Sequence, residues 1–146
     1  MTPLKEAVRD SIPAMIAVAG YLARHMKFDI LLRTAWNEDG SPDSGDMMVR
    51  RPGGDWSRLE IKGHPGVPFD TLNRYPWILV DRCDIFDKKE KTPDFYYIVG
   101  AELKQALTLD MRNKPEMTVQ KIKCIRTKKL VECYGVTREQ CGEVQL

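Results

Sequence analysis

The spacing of apolar residues along the chain predicts alternating helices and strands. From Ile12 to Met26 apolar side chains recur every three or four positions, so residues 11–26 are predicted to form a helix, with an earlier helical turn or two over residues 3–10. Short apolar runs at residues 28–36, 77–83 and 95–100 predict strands. Residues 101–110 predict a second helix, because their apolar residues again fall at helical spacing. This order predicts an α/β domain around one central sheet.

Residues 44–63 predict a β-hairpin, because apolar and polar residues alternate on both sides of Pro52-Gly53-Gly54. If those three residues form the turn, Met47 pairs with Leu59, and Asp46 pairs with Glu60. The apolar residues of both strands then share one face. A shift of one residue would mix the faces, so the hydrophobic pattern selects this register. The opposite face then carries Asp46, Glu60 and Lys62.

Length and composition favour a globular protein of one domain. The chain has 146 residues, of which 42% are hydrophobic and 30% charged, and its net charge is only +2. We predict a core over about residues 10–110, followed by C-terminal strands and a basic segment at 117–146. That segment carries a basic cluster, which is either a solvated strand edge or a phosphate-binding track. The cluster consists of Lys121, Lys123, Arg126, Lys128 and Lys129.

Several classes of protein fit poorly. No apolar run is long enough to span a membrane, and charged residues interrupt the N-terminal segment where a signal peptide would be apolar. The four cysteines are widely spaced and form no C-x-x-C pair, which argues against a zinc site or a disulfide framework. We therefore expect a cytoplasmic protein with reduced thiols.

The polar face of the hairpin supports two interpretations. Charged strand faces are common in antiparallel sheets, so the first is an ordinary solvated surface. However, two opposed carboxylates repel each other unless a cation lies between them. Mg²⁺ is typically held by one or two carboxylates and phosphate oxygens, and a nearby lysine can offset charge on a phosphate. The second interpretation is therefore a magnesium site for phosphodiester cleavage.

The stretch from Asp46 through the glycine turn to Glu60-Ile61-Lys62 resembles the core of the PD-(D/E)xK nuclease superfamily, although Gly45 stands where the motif has proline. The resemblance covers about residues 10–110 and the order helix, three strands, helix, strand. It implies a restriction-endonuclease-like core, with a central mixed sheet flanked by helices, that cleaves DNA with Mg²⁺ or Mn²⁺. Asp46 and Glu60 would bind the metal, the Ile61 carbonyl would add a ligand, and Lys62 would act on the attacking water.

The chain is small, like phage-encoded or repair-associated members of the superfamily, which implies a location in the host cytoplasm if a phage encodes it. DNA is the expected partner. Many members of the superfamily work as dimers because a duplex has two strands, so the resemblance allows a homodimer, but the sequence itself leaves the oligomeric state open. The alternative is a catalytically silent nucleic-acid-binding or assembly module with the nuclease fold. Intact Asp46, Glu60 and Lys62 argue against that alternative.

Two rival motifs, Asp87-Lys88-Lys89 and Glu102-Leu103-Lys104, have the same residue types. The first falls in a charged turn and the second at the start of the predicted helix, where an acid favours the helix dipole. Glu60 is preferred because it lies on an alternating strand. Glu6 and His64 are auxiliary candidates, the first for a metal and the second for a phosphate or a water molecule.

Overall fold

The structure, a computed structural model, describes residues 3–32, 47–64, 66–124 and 127–146, with backbone alone for residues 3–10 and 32. The chain begins with helix α1 (Pro3–His25), followed by strands β1 (Asp29–Leu32), β2 (Met47–Arg50) and β3 (Ser57–Gly63). Helix α2 (Phe69–Arg74), strand β4 (Ile78–Arg82) and helix α3 (Cys83–Asp87) follow. The remaining strands are β5 (Phe95–Val99), β6 (Gln105–Asp110), β7 (Thr118–Lys123), β8 (Leu130–Val136) and β9 (Gly142–Gln145).

The described strands form two sheets. The larger sheet has the order β1-β2-β3-β5-β6-β9, in which β3 and β5 are parallel and the other neighbours are antiparallel. The smaller sheet has the antiparallel order β4-β8-β7. The prediction of a mixed central sheet is confirmed. The prediction of one sheet flanked by helices is wrong for one of its faces, because the smaller sheet covers it together with short helices.

The predicted register of the hairpin is confirmed over the described residues. Met47 pairs with Leu59 and Val49 with Ser57. The turn has the amide of Gly54 bonded to the carbonyl of Arg51, and Gly53 has a φ of +76°, which glycine adopts without steric cost. The hydrophobic pattern therefore specified the pairing correctly.

Each face of the larger sheet packs against a separate apolar cluster. On one face, residues from α1, such as Val18 and Leu22, pack against β2 and β3. On the other face, Tyr96 and Ile98 pack against β4, β8 and Phe69 of α2. Because side chains alternate along β3, Leu59 and Ile61 lie in the first cluster and the side chains of Glu60 and Lys62 point to the second. Glu60 and Lys62 therefore lie on the face of the larger sheet that the smaller sheet covers.

Helix α1 differs from its prediction in its buried face. It joins the helical turns expected at residues 3–10 to the helix predicted at 11–26, so that Pro13 lies inside it. Among its side chains from residue 11 onward, which are those described, Ala14, Val18 and Leu22 are fully buried, whereas Ile12 and Ile16 are exposed. The buried set still follows the four-residue spacing of a helix face. The sequence pattern detected the helix but placed its apolar face about one position away.

The helix predicted at residues 101–110 is wrong, because residues 105–110 form strand β6, which pairs with β5. Leu107 and Leu109 are two positions apart, which is the strand period, and both are buried. A turn at residues 101–104, in which Leu103 has a φ of +62°, reverses the chain. Pairing with β5 therefore outweighed the local helical spacing. The Gly- and Pro-rich stretch at residues 63–76 contains the six-residue helix α2.

No helix in the described ranges combines the length and the apolar character needed to cross a membrane.

Gly100 allows helix α2 to lie directly on the end of β5. A Cβ at this position would lie 2.6 Å from Phe69 Cβ and 2.8 Å from its backbone nitrogen. We predict that Gly100→Ala destabilises the fold by about 1–3 kcal/mol, because a backbone has to shift. Urea unfolding measures the change. Gly20→Ala in α1 is the control, since its Cβ would meet only the Arg24 side chain at 3.4 Å, and we expect a gain of up to about 1 kcal/mol. Equal stability of the two variants would contradict this packing.

Candidate active site

Five side chains from four parts of the chain meet between the two sheets. Glu60 and Lys62 come from β3, and Tyr96 comes from the neighbouring strand β5, where it is in register with Glu60. Asp81 comes from β4 in the smaller sheet, and Lys89 comes from the segment after α3. Only one of the three chain segments that bring charges here, the hairpin, was predicted as part of the site.

A β-bulge in β4 directs Asp81 into this cluster. The register with β8 shifts between Leu79 and Asp81, so the alternation of side chains breaks at that point. As a result, the consecutive residues Val80 and Asp81 are both buried. Bulges commonly re-aim a side chain beside an active site, and here the bulge points a carboxylate at Lys62.

The contacts of Asp81 use both of its carboxylate oxygens. Oδ1 accepts hydrogen bonds from Lys62 Nζ at 3.1 Å and from the backbone amide of Arg82 at 3.0 Å. Oδ2 accepts a hydrogen bond from the Tyr96 hydroxyl at 3.3 Å and lies 3.6 Å from Lys89 Nζ. The side chain is only 4% exposed. Both carboxylate oxygens of Asp81 thus contact donors on neighbouring residues.

The contacts of Glu60 are uneven. Oε1 lies 3.3 Å from Lys62 Nζ and 3.5 Å from Lys89 Nζ. Oε2 is buried and makes no hydrogen bond within the described residues. A buried carboxylate oxygen without a partner costs about 1–3 kcal/mol or more, so such an atom calls for an explanation. Within the described residues, Oε2 of Glu60 is therefore left without a hydrogen-bond donor, unlike either oxygen of Asp81.

The four charged groups have no net formal charge, since two carboxylates are balanced by two ammonium groups. Lys89 is the most deeply buried, with 2% of its side chain exposed. The sequence predicted a cation between opposed acids, and the structure places ammonium groups beside Glu60 and Asp81. The interpretation of this strand face as solvated is wrong for Glu60, which is 8% exposed.

His64 follows Lys62 by two residues and is half-buried. Burial, followed by the nearby Lys62 ammonium, holds the pKa of the His64 imidazole below its usual value. The ring is therefore neutral at pH 7 and lines a cavity beside the candidate site.

Several predicted site residues lie outside the site or outside the described residues. Asp46 and Arg126 are not among the described residues, and Glu6 is described only by its backbone in α1. The side chain of Ile61 packs in the cluster under α1. The described residues of the basic cluster are exposed, on β7 or in the turn after it: Lys121, Lys123, Lys128 and Lys129.

The two rival motifs have structural roles of their own. Asp87 ends α3 and accepts a hydrogen bond from the Tyr134 hydroxyl at 2.8 Å. Glu102 lies in the turn before β6, not at the start of a helix, and its carboxylate accepts a hydrogen bond from the Phe69 amide at 2.9 Å. That bond holds the pKa of Glu102 below its usual value. Lys89 of the first rival motif is the exception, because it enters the buried cluster.

Sequence reasoning missed Asp81, Lys89 and the polar contact of Tyr96. The signal for Asp81 was present, since it is an acid inside the apolar run at residues 77–83, where a strand with buried faces was predicted. Lys89 belongs to a run of charged residues, and nothing in its spacing distinguishes it from Lys88 or Lys91. Tyr96 was assigned to the core, and it is indeed fully buried.

Within the described ranges, no group of three His, Cys, Asp or Glu residues is arranged to hold a metal ion. Comparisons with protein-family models, with curated proteins and with solved structures found no match to this chain. The chemistry of the site therefore has to be argued from its own residues.

Lys89 tests the coupling within the cluster. We predict that Lys89→Met lowers the free energy of unfolding by about 3–5 kcal/mol, because it leaves two buried carboxylates with one ammonium group. Urea unfolding of Lys89→Met, Asp81→Asn and the double variant forms a double-mutant cycle. We expect the double variant to lose less stability than the sum of the single losses.

Lys88→Met is the matched control, since Lys88 is the adjacent lysine and is exposed. Its effect should stay within about 0.5 kcal/mol. Additive losses in the cycle, or equal effects at positions 88 and 89, would contradict the buried cluster.

Proposed function

We propose that the chain is a metal-dependent nuclease that hydrolyses DNA phosphodiester bonds. The observation that carries the proposal is the buried Oε2 atom of Glu60, which lacks a hydrogen-bond donor within the described residues. It belongs to the glutamate of the Glu60-Ile61-Lys62 motif. A carboxylate oxygen held in place without a donor is the type of ligand that Mg²⁺ prefers.

The element order also supports the proposal. Helix α1, three antiparallel strands and helix α2 are followed in the larger sheet by β5, which is parallel to β3. The nuclease superfamily that the sequence resembles has a core of a helix, three strands, a helix and a strand. Glu60 and Lys62 lie on the third strand of this order. The restriction-endonuclease-like assignment belongs to this proposal.

The donor set is suitable for a divalent ion. Glu60 Oε2 would be one ligand, and Asp46 and the Ile61 carbonyl are the others that the resemblance implies. Asp46 immediately precedes Met47, whose partner is Leu59, so continuation of this register would bring Asp46 opposite Glu60. The bound ion would supply a Lewis acid that offsets charge on the phosphate. The added positive charge would be balanced by Asp46 and the substrate phosphate, which the described cluster does not include.

In this proposal, Lys62 is the residue that acts on the attacking water and on the phosphate. Its side chain is 26% exposed, so its ammonium group is reachable from solvent while it contacts both acids. In that position it would orient the attacking water and offset charge on the phosphate oxygens. Asp81 is a positioning residue, because it holds Lys62 at 3.1 Å without offering a vacant oxygen. Lys89 positions both acids from the buried side.

One observation favours the alternative of a catalytically silent module with this fold. The two described carboxylates and the two lysines already balance in charge, so the cluster is stable as a purely structural network. Against this, a buried ionic network contributes little net stability compared with a well-packed apolar one. Metal binding separates the two proposals, since a silent module has no need to bind Mn²⁺ at Glu60.

The first test of this proposal is catalytic. We predict that Asp46→Ala, Glu60→Ala and Lys62→Ala each lower Mg²⁺-dependent cleavage of labelled duplex, single-stranded or branched DNA about 100-fold or more. EDTA should abolish cleavage by the wild type. We also predict that Glu60→Ala loses the rise in melting temperature that Mn²⁺ gives to the wild type, because bound metal stabilises the folded state.

The rival motifs supply the controls, since Asp87→Ala and Glu102→Ala should keep turnover within a few-fold of wild type. Glu102→Ala is expected to lower stability at neutral pH, because the helix α2 amide loses its acceptor. Circular dichroism verifies folding of every variant. A folded Glu60→Ala or Lys62→Ala protein with full activity would exclude that residue from the site.

The basic C-terminal segment gives a separate prediction about DNA affinity. If Lys121, Lys123, Lys128 and Lys129 contact phosphates, replacing all four with glutamine should weaken binding and flatten the slope of log affinity against log salt by about 0.9 per lost contact on duplex DNA. The measurement is a salt titration with Ca²⁺ in place of Mg²⁺. Lys121 is paired across the strands with Glu132, so we expect its contribution to be the smallest.

A variant in which Lys88, Lys91, Lys104 and Lys114 are replaced by glutamine removes the same charge from other exposed positions. It should leave the salt slope closer to that of the wild type. An equal slope in both quadruple variants would show that net charge, and not the C-terminal segment, governs affinity.

A further inference from the structure

A cavity of about 340 Å³ lies beside the candidate active site and has no role in the proposal above. Ile98 lines it from the larger sheet, and Ile78 and Leu79 line it from β4. Gln120 and Ile122 contribute from β7, the edge strand of the smaller sheet. Its size and its apolar lining with few polar groups are typical of a pocket for a small organic ligand.

Two residues that line the cavity, Ile98 and His64, are neighbours of Lys62. Ile98 on β5 is the parallel-register partner of Lys62, so the two side chains are neighbours on the same face of the sheet. His64, two residues after Lys62, lines the cavity and lies close enough to Lys62 for that ammonium to act on its imidazole. A ligand in this cavity would therefore lie beside the group that acts on the phosphate.

The opening of the cavity is aromatic and basic. Tyr75 is 57% exposed although it is a large aromatic residue, and the half-buried Trp77 lines the same space. The exposed Lys123 adds a positive charge to the lining. The side-chain amide of Gln120 donates one hydrogen bond to the Thr118 hydroxyl at 3.0 Å, and its chemistry provides a second donor and an acceptor. Aromatic rings that stack on a flat ligand, an amide that reads its edge and a lysine for a phosphate together match the chemistry of a nucleotide.

We propose that this cavity binds one unpaired nucleobase of the DNA substrate, an inference that rests on the proposed nuclease function. Bases inside a duplex are stacked and cannot enter a pocket, so the bound base must come from a single strand, an end or a distorted site. The consequence is a preference for single-stranded, frayed or branched DNA over intact duplex. The base is held by stacking on Tyr75 and Trp77 while its phosphate points toward Lys62.

Binding in EDTA tests this proposal without requiring cleavage. Fluorescence anisotropy compares a labelled eight-nucleotide single strand with an abasic deoxyribose-phosphate chain of equal length. We expect the wild type to bind the base-containing strand at least about 5-fold more tightly, since stacking of one base gives about 5-fold to 100-fold in affinity. Equal affinity for the two strands would overturn the proposal and would need no variant.

Variants at Tyr75 and Trp56 then show which aromatic side chain is responsible for the base-dependent binding. Tyr75→Ala should lose about 5-fold to 100-fold in affinity for the base-containing strand and leave the abasic strand unchanged. Tyr75→Phe should retain wild-type binding, because the stacking ring remains. Trp56→Ala is the matched control, since Trp56 is an exposed aromatic residue that stacks under Arg50 on the hairpin and does not line the cavity. An equal loss in Tyr75→Ala and Trp56→Ala would place the stacking elsewhere and overturn the proposal.

The outcomes separate the two proposals. Base-dependent binding that is lost in Tyr75→Ala supports the pocket even if no DNA is cleaved, in which case the nuclease proposal fails alone. Cleavage that depends on Glu60 and Lys62, together with base-independent binding, supports the nuclease and overturns the pocket.

Discussion

Charged groups that are buried between two protein layers need partners of opposite charge close by. This requirement governs the packing at the centre of the molecule. Glu60, Asp81, Lys62 and Lys89 lie between the two sheets, with carboxylate-to-ammonium distances of 3.1–3.6 Å. The loss of hydration on burial costs several kcal/mol per ion, so each charge depends on the others. The smaller sheet therefore has two roles, since it closes the apolar cluster around Tyr96 and Ile98 and also supplies the acid that holds Lys62.

The irregular features of the fold are located where this matching requires them. The bulge in β4 breaks the alternation of the strand and buries Asp81 next to Val80. The segment after α3 returns Lys89 to the interior, although its neighbour Lys88 is exposed. A regular strand at β4 would have turned the side chain of either Val80 or Asp81 outward. These departures from regular geometry favour a site over an incidental network, because a well-packed apolar cluster would have needed neither.

The sequence predicted the local features well and the long-range features poorly. The hairpin register followed from alternation alone, because a shift of one residue would have placed Met47 and Leu59 on opposite faces of the hairpin. The placement of Glu60 on the face opposite to these residues followed as well. What lies against that face did not, since the position of β4 in a second sheet depends on its pairing with β8, more than fifty residues away in sequence. The helix predicted at residues 101–110 was wrong for the same reason. Residues 105–110 pair with β5, and this long-range pairing overrode the local helical spacing.

The balance of charge in the cluster bears on which function the residues fit. If Glu60 and Asp81 were only structural, each oxygen would gain from a donor, and Asp81 meets this expectation with four contacts. Glu60 departs from it, because both lysines approach Oε1 while Oε2 has no donor within the described residues. Asymmetry of this kind costs stability in a structural network but serves a carboxylate that must bind a cation. Along the chain, Lys62 of β3 lies between Glu60 and His64, and His64 lines the cavity together with Tyr75 and Trp77. In the two proposals, an ion at Glu60 and a base in the cavity would therefore lie on either side of Lys62. In the proposed function, that arrangement would give Lys62 a phosphate to act on, which a structural salt bridge would not require.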